Sequence, residues 1–191
     1  AMAKIDLLEV YLLSDDNRWE LIYKEIFQEN TKTDFIIKIL LNKLLEFDNL
    51  DYAEELITLK RQAKNKKDFY SFEMGNYYIS RIKYEDAIKQ FLIFLENNPN
   101  KYNKIADKII MIPDYTELQS KIKAILDNSS LVSSKILLSD MAFKDRDFRT
   151  SYNLLKNNFQ NPNQLLDFAY QNKKIKNYDL AIEIYSDLIR E

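Results

Sequence analysis

Apolar residues along this chain recur at i, i+3, i+4 and i+7 in segments of about 11–15 residues, each followed by a few polar ones. That spacing gathers one apolar stripe per segment and predicts amphipathic helices. They fall near 4–13, 16–29, 33–46, 50–64, 67–81, 84–97, 102–111, 115–127, 131–144, 147–158, 163–174 and 178–190, which makes about twelve helices in six pairs. Ser14 and Asp114 stand where N-caps belong, and Pro99, Pro113 and Pro162 fall between helices rather than inside them. No composition shift marks a linker, so 4–191 reads as one continuous domain. Ala1-Met2-Ala3 looks like a cloning remnant.

Composition supports the helical reading. There is one glycine and there are three prolines in 191 residues, too few for the turns a sheet requires. The chain is 46% hydrophobic and 30% charged, as in an ordinary folded protein. With no cysteine and no histidine it has no disulfide, no Cys/His zinc site and no Ser–His or Cys–His nucleophile pair. The net charge of −2 argues against work on phosphate backbones. The longest apolar runs, FIIKILL and FLIFL, are far shorter than a membrane span of about 20 residues. No signal segment is visible, and the lack of cysteine fits the cytoplasm or the oxidising periplasm alike, so the compartment stays open.

The helices repeat. Ala87, in KYEDAIKQF, lies 34 residues after Ala53, in NLDYAEELI, and YEDAIKQF is similar to YDLAIEIY around Ala181. On these residues the chain resembles the tetratricopeptide repeat family, whose unit is a helix–turn–helix of about 34 residues. The family places a small residue twelve before the anchor alanine and aromatic or apolar residues nine before, three before and four after. A proline stands twelve after. Around Ala87 these are Gly75, Tyr78, Tyr84, Phe91 and Pro99, and all agree. Around Ala181 they are Ala169, Asn172, Tyr178 and Tyr185; around Ala53, Leu41, Leu44, Leu50 and Ile57. Ser151 serves as a weaker anchor with Ser139, Ala142, Phe148 and Leu155. Residues 102–127 lack the signature, and a step back of 34 from Ala53 meets the bulky Trp19.

The resemblance implies an all-α, right-handed superhelical solenoid of about six antiparallel helix pairs. It also explains Gly75, which costs about 1 kcal/mol of helix propensity relative to alanine. Helices approach to about 8–10 Å where the crossing residues are small, and Gly75 is expected to face Ala87 there.

Candidate chemistry is sparse. Asp15 with Asp16, Glu54 with Glu55, and Asp145 with Asp147 are the nearest approach to carboxylate clusters, but adjacent helical positions point to different faces. One glycine cannot build a phosphate loop. The run LKRQAKNKK (Lys60, Arg61, Lys64, Lys66, Lys67) reads as a solvated face at a helix C-terminus, as does Lys173, Lys174 and Lys176. The expectation is no enzyme, no cofactor and no metal.

In such solenoids the first helix of each pair lines a concave surface where partners bind. Carried over, the resemblance implies a groove of Lys38, Asn42 and Leu45, then Phe72, Asn76 and Ile79, then Asp140 and Phe143, then Leu166 and Tyr170. Lys38 and Asn42 match the first element of the family's clamp for chaperone C-termini, but Glu73 stands where the clamp needs asparagine, so that reading is set aside. The expected function is a scaffold holding a peptide or a partner helix in this groove. The alternatives are a peptide-sensing regulatory domain and, less favoured by the acidic balance, a helical-repeat RNA-binding protein. Nucleic acid and membrane are not expected partners. The chain ends directly after SDLIRE with no capping helix, so a longer parent protein, or self-association through the last repeat, is expected.

Overall fold

The computed structural model describes residues 1–30, 32–158 and 162–190. These form α1 (Met2–Leu13), α2 (Trp19–Glu29), α3 (Asp34–Glu46), α4 (Leu50–Lys64), α5 (Ser71–Ser80) and α6 (Tyr84–Asn97). A 3₁₀ turn at Pro99–Lys101 leads into α7 (Tyr102–Ile110), followed by α8 (Thr116–Asp127), α9 (Val132–Lys144), α10 (Phe148–Asn158), α11 (Pro162–Lys174) and α12 (Tyr178–Arg190). No strand occurs among the described residues, and no helix there is long and apolar enough to cross a membrane.

Several expected boundaries move, each for a local reason. Residues 16–18 are not helical: the Asp16 carboxylate accepts the Arg18 backbone N–H at 3.0 Å and grips its guanidinium at 2.6 Å, which delays α2 to Trp19. Ser14 does not cap α2 but ends α1, its hydroxyl donating to the Val10 carbonyl at 2.9 Å. Asp114 lies outside α8, whose N-cap is Tyr115 with no side-chain bond. Pro162 opens α11, at the position where its missing N–H costs nothing. Tyr70 takes a left-handed φ of 62° and holds back the start of α5 to Ser71.

The repeat has a backbone signature stronger than its side-chain one. Five residues before each anchor, Asp48, Ile82, Arg146 and Lys176 all adopt left-handed φ, between 57° and 64°. The next N–H then reaches back to the preceding helix. Asn49 donates to the Leu44 carbonyl at 2.8 Å, and Lys83 to Tyr78, Asp147 to Ala142 and Asn177 to Asn172 at 2.9 Å. This is the 6→1 bond of a Schellman cap, which needs one left-handed residue. The anchor's own N–H closes the first turn of the second helix, as in Ala87 to Lys83 at 3.0 Å and Ser151 to Asp147 at 3.0 Å. The same cap recurs between α1 and α2, with Asp15 at φ 53° and Asp16 bonded to Tyr11 at 2.9 Å. Between α7 and α8, where the signature is missing, no residue is left-handed and Pro113 makes the turn.

The backbone packs as two compact units, residues 1–77 and 78–191, with the boundary inside α5. In the first, Leu8, Ile26, Ile37, Leu40, Leu41, Leu44 and Leu56 are fully buried. Trp19, Tyr23 and Tyr52 meet edge to face, with centroids 4.8–6.5 Å apart. Burial pushes the Tyr23 phenol up to about 12, helped by Glu55 and Tyr52. In the second, Phe91, Ile105, Ile122, Leu126 and Leu137 are fully buried. Tyr152, Leu155, Leu165, Phe168, Ala169, Leu180 and Ile184 form a core cluster there, with Phe143 and Phe148 packed against it.

The positions that carry the repeat resemblance are largely interior. Gly75, Tyr78, Ala87, Phe91, Ala53 and Ala181 are buried, while Tyr84 is half-buried and Pro99 is exposed. Gly75 lies within α5 without a positive φ, so the position does not call on glycine's backbone freedom.

The basic run is not simply a solvated face. Lys60 is only 2% exposed and pairs with Asp34 at 3.3 Å, and Lys64 reaches the same carboxylate at 2.5 Å. The Arg61 Nε donates to the Phe69 carbonyl at 3.1 Å. Three of these cations therefore bind α4 to α3 and to the turn before α5.

Candidate functional site

The groove residues expected in the first unit are mostly buried or already partnered within that unit. Lys38, on α3, lies 3.8 Å from Glu73 on α5. The Asn42 carbonyl accepts the Tyr70 hydroxyl, and burial raises that phenol's pKa, so the proton stays on it. Leu45 is buried at 7% exposure and belongs to the core. Phe72 is half-buried, and the Asn76 amide donates to its carbonyl at 2.9 Å.

In the second unit the first helices of three successive pairs, α7, α9 and α11, line a cleft of about 880 Å³. That volume lies within the range of about 300–1,000 Å³ found for ligand pockets. Its apolar wall is built by Ile110, Val132, Ile136, Phe143, Leu155 and Phe168. Phe143 is tied into the core, 5.1 Å from Phe148 and 5.6 Å from Phe168 centroid to centroid, which makes that part of the wall rigid.

Polar groups interrupt the wall. The Tyr102 hydroxyl, on α7, donates to Asp140 Oδ2, on α9, at 2.5 Å. Burial, with Asp140 beside it, holds the Tyr102 pKa far up, so at neutral pH the phenol remains a donor. Asp140 is itself raised above the ordinary carboxylate range by burial, against the lowering effect of the Tyr102 bond. No cation pairs with Asp140 among the described residues. Asp167, on α11, also lines the cleft, without a hydrogen bond or ion pair to any described residue. Gln164, one turn earlier, has a buried Oε1 that accepts nothing from the described residues. The lone lysine of the lining, Lys144, donates to the Ile110 carbonyl at 2.9 Å.

Of the expected groove residues, Asp140 and Phe143 line this cleft. Ile79 is half-buried on α5. Leu166 and Tyr170 are exposed and face elsewhere on α11; Tyr170 lies under Lys174 at 4.6 Å. The cleft takes a different stripe of that helix, Gln164, Asp167, Phe168 and Gln171, whose spacing of three and four marks one helical face. Tyr102 and Asn103 were out of reach of the repeat phasing because the pair containing them lacks the signature.

Three of the six paired carboxylates hold structural contacts. Asp16 holds Arg18, Asp145 pairs with Lys123 at 2.7 Å, and Asp147 Oδ1 accepts the Thr150 N–H at 3.1 Å. A second hollow of about 400 Å³, between α8, α9 and α10, is lined by Lys123, Asp127, Asp145 and Asp147. Its lysine is already neutralised by Asp145.

No protein-family model matches the chain, and no curated protein matches it. Among solved structures, one described as a functional characterisation of pilF from Pseudomonas aeruginosa is similar at 16% identity and a TM-score of 0.40. The alignment covers 98% of this chain and 90% of that one.

Proposed function

We propose that this chain is a non-catalytic helical-repeat interaction module that holds a peptide or a partner's helix in the cleft between α7, α9 and α11. The observation that carries this reading is the cleft itself, an apolar wall broken by a few polar groups, on the first helices of consecutive pairs. The resemblance to tetratricopeptide repeats assigns that helix to partner binding. A wall fixed by core packing needs little ordering when a ligand arrives, so more of the contact energy is expressed as affinity. The absence of histidine and cysteine from the sequence, and the structural engagement of Asp16, Asp145 and Asp147, favour binding over chemistry.

The test is to pan a phage-displayed library of random 12-residue peptides on the protein and measure the selected peptides by fluorescence anisotropy. Binding is expected to fall at least tenfold in a variant carrying Val132→Gln with Ile136→Gln. Val132 is exposed and Ile136 half-buried, so the variant is expected to fold. Selected peptides that bind this variant as tightly as wild type would overturn the cleft assignment.

A second surface supports self-association. Tyr178, Ile182 and Ile189 form one exposed stripe on α12, at the positions by which Phe148 and Tyr152 of α10 pack into the core. Light scattering across a concentration series tests it, with Ile182→Glu expected to hold the chain monomeric.

A further inference from the structure

We propose that the ligand of the α7/α9/α11 cleft is a cationic, amphipathic peptide segment, one that sets a lysine or arginine against Asp140, Asp167 and Gln164 while apolar side chains lie on Val132, Ile136 and Phe143. The proposal rests on the cleft reading above and adds the chemistry of the occupant.

The charge of the lining is unbalanced. Asp140 and Asp167 are its carboxylates and Lys144 is its only cation, already directed at the Ile110 carbonyl. Several carboxylates elsewhere on the second unit have nearby cations, among them Asp145 with Lys123, Glu183 with Arg149, and Asp187 with Lys156. Asp140 and Asp167 have none among the described residues. Asp140 is also partly removed from water, and burying an unpaired carboxylate is costly unless a cation or several donors compensate it. Tyr102 supplies one donor, to Oδ2.

Gln164 gives an independent sign. Its Oε1 is buried and accepts no hydrogen bond from the described residues. Buried polar atoms are nearly always satisfied, so this acceptor on the wall of the cleft is open to a donor from a ligand. Lysine and arginine are donor-only side chains, which suits a site whose unfilled positions are acceptors. An acidic ligand would meet two carboxylates and an acceptor, with only Lys144 to oppose them.

The apolar wall requires the rest of the segment to be amphipathic. A free polyamine could meet the carboxylates but would leave Val132, Ile136 and Phe143 uncovered. A nucleic acid is disfavoured by the sign of the charge.

The experiment takes the peptides selected from the random library and remakes each with its lysines and arginines replaced by glutamine. Both versions are titrated against wild type, the Asp140→Asn/Asp167→Asn variant and the Val132→Gln/Ile136→Gln variant, at about 50 and 300 mM salt. The expected result is enrichment of lysine and arginine beside apolar residues. Affinity should fall about tenfold in the Asp→Asn variant and by a similar factor in the glutamine peptides. The fall with salt should shrink in both cases. Peptides that need Val132 and Ile136 but are indifferent to Asp140, Asp167 and their own cations would overturn the cationic ligand and leave the cleft reading standing. Peptides indifferent to Val132 and Ile136 as well would overturn both. Retention of spermine with the affinity of the peptides would overturn the amphipathic part alone.

Discussion

Ser139 and Ser151 meet inside the second unit, where the Ser139 hydroxyl lies 3.0 Å from the Ser151 carbonyl and 2.8 Å from its hydroxyl, with both residues essentially inaccessible to water. They occupy the small position and the anchor of their repeat, so the crossing of α9 and α10 is a direct contact between two small side chains. Serine keeps the crossing close and satisfies itself there. Ser139→Leu has no room and is expected to destabilise the protein by about 1–3 kcal/mol, whereas Ser139→Ala loses only the hydrogen bonds, about 1 kcal/mol. Urea denaturation followed by circular dichroism separates the two.

Gly75 holds the same small position in the repeat anchored on Ala87, and it is buried without a positive φ. Gly75→Leu is expected to cost about 1–3 kcal/mol through overpacking. A melting midpoint unchanged by the substitution would remove the close-approach role and leave the glycine unexplained.

The left-handed turns carry an avoidable strain. Ile82 sits at φ 62° while 74% exposed, so it is β-branched in a conformation that L-residues avoid and has little packing to lose. Ile82→Gly relieves about 1–2 kcal/mol of backbone strain, offset in part by the greater entropy of the unfolded chain. A net gain of about 0.5–1 kcal/mol is expected, readable as a rise in the urea midpoint at constant slope.

Much of this architecture is legible in the sequence because helix periodicity is a local property. The stripes of Leu40, Leu44 and Ile37, or of Phe168, Leu165 and Asn172, follow from spacing alone. The turns are less legible. Asp, Ile, Arg and Lys fill left-handed positions that glycine or asparagine ordinarily marks, so the strongest repeat signal is carried by backbone geometry. Lys60 reads as a surface cation until Asp34, distant in sequence, covers it. Of the cleft lining, Asp140 and Phe143 are positions that repeat phase names, while Gln164 and Asp167 lie on a different face of α11 from Leu166 and Tyr170, the residues repeat phase names there. Tyr102 belongs to the pair without a signature, and nothing local to it points to Asp140.

Asp34 links Lys60 and Lys64, and its carboxyl is held below the ordinary carboxylate value, mainly by the Lys64 bond. A depressed folded pKa contributes stability above the unfolded value, near 4, and loses it as pH falls through the folded one. Asp34→Asn should flatten that acid limb. It should also cost about 1–2 kcal/mol at pH 7, less than a fully buried pair because Asp34 is 42% exposed. Lys60→Met should cost less, since Asp34 keeps Lys64 and the methionine fills the buried site. Urea midpoints between pH 3 and 7 test both, and a larger loss for Lys60→Met would reverse the assignment of Lys60 as the better-compensated partner.

Asp140 has the opposite sign. Burial raises its pKa, so folding takes up a proton there, and stability attributable to this group declines as pH rises from the unfolded carboxyl value through the folded one. The groups known to face it set the terms: Tyr102 donates to it, Asp167 shares its cleft with the same charge, and Lys144 is directed away to Ile110. Asp140→Asn keeps an acceptor for Tyr102 and removes the buried charge. At pH 7 the variant is expected to melt about 2–4 °C higher than wild type, with the difference closing below about pH 4. A residue kept for packing alone would not become more stable when its charge is deleted, whereas a binding carboxylate held ready for a cation should. A lower melting temperature at pH 7 would show that the ionised form is already compensated within the folded chain, and thermal melts in parallel at pH 3.5 and pH 7 decide it.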